Sequence, residues 1–205
     1  MKQYYQAEDK TVNAPTTVEI DKVNRYFDKL TQAERNKEGY FDIKYGSQPN
    51  TRYYVAVEDK GVVDNVYTIN YTAQEKPLTD VQGLMIKSLF EAGEGYNNSA
   101  TVDTGLGFLV KATRNDLDSF ERGAKRNMTE LRDVTGTKRV VSVPEMSKIA
   151  DNIEDNGVVL FDIKWNKFDE IQAFTTVDEC ILYEATPYDE DGVTHYRNQC
   201  TDWEI

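Results

Sequence analysis

Apolar and polar residues alternate with two periods along this chain, and the places where one period gives way to the other predict its elements. From Met1 to Ala14 there is no period, which predicts a loose arm or an edge strand. Thr16 and Glu19 then stand in capping-box relation, and Ile20, Val23, Phe27 and Leu30 share one helical face, so a helix is expected from about 17 to 35. Glu38-Gly39 ends it. Three β-rich runs follow, 40–45, 53–58 and 62–71, the last two joined across Asp59-Lys60-Gly61 as a hairpin in a small antiparallel meander.

Leu78, Val81, Met85 and Leu89 restore the helical period over 77–92, with Thr79 as the expected cap. Residues 93–107 (GEGYNNSATVDTGLG) lose it again, and their four glycines and two asparagines predict a long functional or mobile loop. A short strand is expected at 108–112. Leu117, Phe120, Ala124, Met128 and Leu131 then line one narrow face of a helix capped by Asn115 or Asp116 and closed by Gly136. Arg139 to Val143 reads as a strand. Ser142 and Glu145 box the start of a short helix, 145–155, with Pro144 in its first turn. Asn156-Gly157 ends that helix, and the apolar run 158–165 reads as a buried strand. Residues 177–185 and 193–200 are expected to form a terminal hairpin around 187–192.

Phe41-Asp42-Ile43-Lys44-Tyr45 recurs as Phe161-Asp162-Ile163-Lys164-Trp165. One reading is a duplicated helix-plus-meander unit. The other is that alternation of this kind describes any half-buried strand. The expected fold is α+β, with a mixed, mostly antiparallel sheet or sheets and three to four helices. The expected organisation is a single domain over 1–205, with 1–92 and 108–205 joined by the Gly/Asn-rich loop 93–107 as the alternative subdivision.

Charge adds direction to this picture. The 205 residues carry a formal charge of −12, but residues 1–150 hold 22 acidic and 21 basic side chains, whereas 151–205 hold 14 and 3. Asp178, Glu179, Glu184, Asp189, Glu190, Asp191, Asp202 and Glu204 are therefore the candidate acidic face. Arg122, Lys125, Arg126 and Arg132 form a basic flank beside the apolar stripe of the 115–136 helix. Asp118 and Asp133 are interleaved with them, so direct nucleic-acid binding is not expected. No apolar run approaches the roughly 18–20 residues needed to span a bilayer, and no cleavable signal peptide is recognisable. A cytoplasmic protein, or one assembled into a particle, is expected.

Chemistry-bearing residues are sparse. His195 is the single histidine, which excludes histidine-rich metal sites, and nothing resembling a nucleophile elbow accompanies it. In a terminal hairpin symmetric about Glu190, Cys180 would face Cys200 across the strands, while Ala185 would face His195. Two reduced, packed thiols are the default without a signal peptide. Asp189-Glu190-Asp191-Gly192 lacks the spacing of a calcium loop, and Gly105-Leu106-Gly107 is only a fragment of a phosphate loop. Asp151, Glu154 and Asp155 share a helix stretch and read as a solvated face.

Thirteen tyrosines, eight of them at 4, 5, 40, 45, 53, 54, 67 and 71, favour contact surfaces, because tyrosine offers area and a polar tip at little entropic cost. The leading expectation is a non-enzymatic docking or assembly protein that needs no cofactor and meets a basic protein surface or a second copy of itself. Its composition would suit a virion component or an inhibitor of a host factor. Two alternatives stand beside it. One is an acidic nucleic-acid mimic that blocks a DNA- or RNA-binding protein. The other is a metal-dependent hydrolase or transferase with Asp/Glu ligands and the 93–107 loop as a lid.

Overall fold

The computed structural model describes residues 3–6 and 10–203, with five α-helices and mostly antiparallel strands among them. The chain divides into two compact units, 1–76 and 77–205.

The first unit is built on β1 (Gln3–Gln6), β2 (Lys10–Asn13), β3 (Thr17–Ile20), β4 (Val23–Tyr26), α1 (Gln32–Lys37), β5 (Phe41–Tyr45), β6 (Tyr54–Val63) and β7 (Val66–Glu75). A five-stranded sheet runs β2-β1-β5-β7-β6, and only the β5–β7 pairing is parallel. The helix expected over 17–35 is instead the β3–β4 hairpin, a 3-10 turn at Phe27–Lys29 and the short α1. Val18, Ile20 and Val23 are β-branched, and Asp21 and Lys22 take φ of 51° and 61°, as a two-residue hairpin turn demands. The capping box belongs to Thr31 and Glu34, not to Thr16 and Glu19. Phe27 and Leu30 are buried against Val12, Val18, Ile20 and Tyr40 in a small core.

The β6–β7 turn also moves. Asp64-Asn65, at φ 51° and 62°, makes it, and the expected turn residues Asp59-Lys60-Gly61 lie inside β6. Tyr53 is buried while its neighbour Tyr54 is only half-buried, the split expected of adjacent residues. Tyr45 is exposed and Tyr67 buried. The side chains of Tyr4 and Tyr5 lie outside the described residues.

The second unit comprises α2 (Leu78–Ser99), β8 (Thr101–Asp103), β9 (Leu109–Lys111), α3 (Arg114–Lys125), β10 (Glu130–Arg132), β11 (Lys138–Val140), α4 (Val143–Ala173), α5 (Val177–Glu184), β12 (Thr186–Glu190) and β13 (Val193–Arg197). Three antiparallel hairpins, β8–β9, β10–β11 and β12–β13, punctuate the helices. Val81, Met85 and Leu89 of α2 are fully buried, and Gly93 continues their four-residue spacing. That spacing carries the helix through the expected loop to Ser99. What remains of the loop is β8 and a tight turn, in which Gly105 and Gly107 take φ of 71° and 81°. Thr104 closes the turn, donating from Oγ1 to the Phe108 carbonyl and accepting from Leu106 N–H.

Thr113, not Asn115 or Asp116, is the N-cap of α3, with Asp116 returning the capping bond. The helix ends at Lys125, and Asn127 turns the chain at φ 54°, so Leu131 reaches the core from β10. Leu131 joins Val110, Leu117, Phe120, Val141, Met146, Ile149, Ala150 and Ile153 in one buried cluster.

The largest departure from the expected pattern is α4. It starts at the Ser142–Glu145 box, as the sequence implies, but continues for 31 residues through Asn156-Gly157. Of the expected strand residues 158–161 only Leu160 is buried, whereas Val158, Val159 and Phe161 face solvent. The two related pentapeptides therefore differ in structure, one a strand and the other mid-helix. The duplicated helix-plus-meander reading falls with that difference.

α5 likewise replaces an expected strand. Thr176 and Glu179 box its start, which puts Cys180 on a helix and Cys200 in the turn after β13. They are not a cross-strand pair, and both side chains are buried without a disulfide between them. No helix among the described residues is long and apolar enough to cross a membrane.

Candidate functional site

The acidic residues singled out from the sequence meet different environments. Glu179 is committed to its own helix, accepting from the backbone N–H groups of Thr175 and Thr176, which hold its carboxyl below the usual range. Glu184 is buried on α5, and Asp202 forms an ion pair with Arg197 at 3.0 Å. Asp178 is exposed on α5. Glu204 lies outside the described residues. Asp189, Glu190 and Asp191 stand together at the tip of the β12–β13 hairpin.

That hairpin has an unusual environment. Every residue from Pro187 to Tyr196 is exposed, on both faces of the two strands. Asp191 and Gly192 make the two-residue turn at φ 51° and 77°, so Glu190 pairs with Val193 and Tyr188, three residues on from the expected Ala185, pairs with His195. The Tyr188 ring stacks obliquely on His195 at 5.4 Å, and the Arg197 guanidinium lies 5.0 Å from its centre. Thr194 donates to Asp189 at 2.9 Å. The tip thus carries three carboxylates flanked by Tyr188, Val193 and Tyr196, the last 70% exposed.

The basic flank is also divided. Arg122 and Lys125 lie on α3, Arg126 at its C-terminal cap and Arg132 on β10. Arg122 donates to the Asp118 carbonyl, Lys125 lies 3.8 Å from Glu121, and Arg132 donates to the Gly136 carbonyl. Local partners and interleaved acids keep this from being a continuous positive stripe.

Asp133, the acid interleaved in that flank, proves structural. Its side chain is 2% exposed, and it accepts from the Thr135 hydroxyl, from the Thr135 and Thr137 backbone N–H groups, and from Arg139 at 2.7 and 2.8 Å. The Thr135 hydroxyl bond first, then Arg139 and the two amides, lower its pKa from 3.8 to about 2 against the opposing effect of burial. A carboxyl lowered by folding stabilises the fold above its unfolded pKa and loses that contribution as pH falls through its folded value. Asp133→Asn is therefore expected to melt at a lower temperature than the wild type above pH 4. The two melting temperatures should converge between about pH 4 and 2, which a pH series of thermal melts by circular dichroism would read.

Nucleophiles are scarce. Burial and the nearby Glu184 and Glu179 charges push the Cys180 thiol up. Tyr183 is raised by burial and by its 2.8 Å hydrogen bond to Glu170. Asp151, Glu154 and Asp155 are exposed on α4. Among the described residues no three His, Cys, Asp or Glu side chains converge as a metal ion would require.

Two features absent from the sequence reading lie on α2, α3 and α4. A cleft of about 490 Å³ is lined by Asn97 and Asn98 of α2, Thr113, Arg114 and Leu117 at the start of α3, and Ile153, Glu154, Gly157, Val158 and Phe161 of α4. Gly157 would meet nothing within 4 Å if it carried a Cβ, so it leaves the cleft open instead of relieving a close contact. Next to the cleft an aromatic group lies open to solvent. Trp165 meets Phe161 at 5.9 Å, Phe168 at 5.3 Å and Phe90 of α2 at 6.3 Å, and the Lys164 ammonium sits 5.2–5.7 Å from three of these rings. Its sequence signal is the 3-4-3 spacing of Val158, Phe161, Trp165 and Phe168, which registers only when 158–168 is read as helix.

Comparison with known proteins yields no match among family models, curated proteins or solved structures.

Proposed function

We propose that this protein works by docking to another macromolecule, with the β12–β13 hairpin presenting its acidic tip to a basic protein surface. The observation that carries this reading is the solvent exposure of the whole hairpin from Pro187 to Tyr196. A two-stranded hairpin is marginal in water without a face to bury. One that leaves Tyr188, Val193 and Tyr196 outside the core gains burial when a partner covers them. Asp189, Glu190 and Asp191 set the sign of that partner, since a complementary field accelerates encounter and fixes orientation.

Triple substitution of Asp189, Glu190 and Asp191 by lysine tests it. The wild-type chain serves as bait in the source organism's lysate, and the captured protein is purified and titrated back. The triple variant should bind it at least about tenfold more weakly, and the wild-type interaction should weaken at about 0.5 M salt. Equal affinity for the two chains would overturn the reading. Displacement of the captured protein by duplex DNA would turn it toward nucleic-acid mimicry.

A further inference from the structure

We infer that the aromatic face of α4, completed by Phe90 of α2, is where a second copy of this chain docks. This surface shares no residue with the β12–β13 hairpin, so it stands or falls apart from the docking role given to that hairpin.

Spacing is the first support. Val158, Phe161, Trp165 and Phe168 follow one another at intervals of three, four and three, the a and d positions of two successive heptads. Over this stretch α4 buries Leu160 and Ile171 within its own unit, and these lie on a different stripe. The helix therefore carries two apolar seams, and the unit uses one. Val158 is 54% exposed, Phe161 57%, Trp165 39% and Phe90 40%. The rings already brace one another, with Phe90 and Phe168 stacked at 6.1 Å, so little side-chain entropy is lost when they are covered.

Area is the second. These side chains leave on the order of 400 Å² of contiguous apolar surface, within the range of the largest patch on a typical monomer. Two such patches with their polar rims reach about 1,200 Å², the lower end of specific interfaces.

Charge names the occupant. The rim carries both signs: Lys164 over the rings, Asp162 and Asp169 exposed on α4, and Lys87 and Glu94 one turn either side of Phe90. An isologous interface needs such a patch, because each copy must supply both members of every pair. A chain at −12 repels its own copy over most of its surface, and the uniformly acidic hairpin tip is the least suited to meet its like. In heptad terms Lys164 is at g and Asp169 at the following e, the positions that meet between two parallel helices. Antiparallel pairing would set Lys164 against Lys164. The geometry thus favours a parallel α4–α4 pair.

Light scattering after size exclusion and sedimentation equilibrium on the full chain test this. The wild type should shift from 23.5 kDa toward twice that mass over about 10–100 µM, as befits a small interface. Phe161→Asp should stay monomeric over the same range. Its circular dichroism should match the wild type, and its melting temperature should lie close to the wild type's at concentrations where both chains are monomeric, since more than half of the side chain it replaces is in solvent. Lys164→Glu and Asp169→Lys should each weaken the dimer, and their combination should restore it, a rescue that a packing defect would not show. A wild type monomeric at 100 µM, or a Phe161→Asp chain that still dimerises, would overturn the proposal. Failure of the double exchange to restore the dimer would overturn the parallel arrangement. Triple lysine substitution at the hairpin tip should leave the dimer mass unchanged, which separates failure here from failure of the hairpin reading.

Discussion

Trp203→Ala is expected to destabilise the unit formed by residues 77–205 by about 3–5 kcal/mol in guanidinium unfolding, the range for emptying a buried aromatic site. The indole is 2% exposed, stacks with Tyr96 at 6.3 Å, and lies against Gly93 of α2. A Cβ on Gly93 would come within 2.6 and 2.7 Å of two indole carbons, so the glycine is the socket for the ring. The indole N–H is buried without a hydrogen-bond partner, which offsets part of the gain from burial. Trp203→Phe should therefore recover most of the loss. The same contact can be tested from the other side. Gly93→Ala should destabilise by about 1–3 kcal/mol through overlap. Gly95→Ala, two residues on and in open space, should stabilise by up to about 1 kcal/mol through helix propensity. Combining Gly93→Ala with Trp203→Ala should remove most of the overlap cost, because the two residues share one contact. Additive effects in that pair would show that the ring does not rest on Gly93.

Ile149→Ala is expected to cost about 2–5 kcal/mol. Ile149 is fully buried in a cluster that draws Val110 from β9, Leu117 and Phe120 from α3, Leu131 from β10, and Met146 and Ile153 from its own helix. A cavity there borders four elements that cannot all close on it. Val158→Ala, nine residues along the same helix but 54% exposed, should change stability by no more than about 0.5 kcal/mol. Denaturant midpoints of the two variants, measured with matched slopes, check this contrast. Equal losses would mean that the apolar face around Val158 is covered at the concentrations used, as self-association through that face would cover it.

These predictions fall where the sequence pattern was easiest and hardest to read. Val81, Met85 and Leu89 announce α2 because their spacing keeps to one helical face, and the structure buries all three fully. Ser142 and Glu145 announce the start of α4 for an equally local reason, a side chain meeting backbone N–H groups three residues away. The same signal at Thr31–Glu34, Thr113–Asp116 and Thr176–Glu179 marks three further helix starts. At 176–179 it competed with a β-branched and aromatic run that reads as strand, and the cap won. Thr16–Glu19 has the same letters, yet two residues at positive φ turn that segment into a hairpin.

The candidate site divides in the same way. The acidity of the terminal segment is plain in the sequence, but which carboxylates remain exposed is not. Glu179 is spent on a cap, Glu184 is buried and Asp202 meets Arg197. The aromatic face of α4 was hidden because its residues look like a buried strand until Gly157 is known to lie inside a helix.

The sequence by itself determined that helices and mostly antiparallel strands coexist here, that α2 and α4 begin near Pro77 and Ser142, and that negative charge is concentrated in the last quarter of the chain. Each of these depends on residues within a few positions of one another. Only the tertiary structure decided that Phe41–Tyr45 is a strand while the near-identical 161–165 is helical, and that one apolar seam of α4 is buried while the other is open. An alternating pentapeptide satisfies either backbone. Beside β1 and β7 its hydrogen bonds go to neighbouring strands, and inside a 31-residue helix packed on α2 they go to residues four positions away.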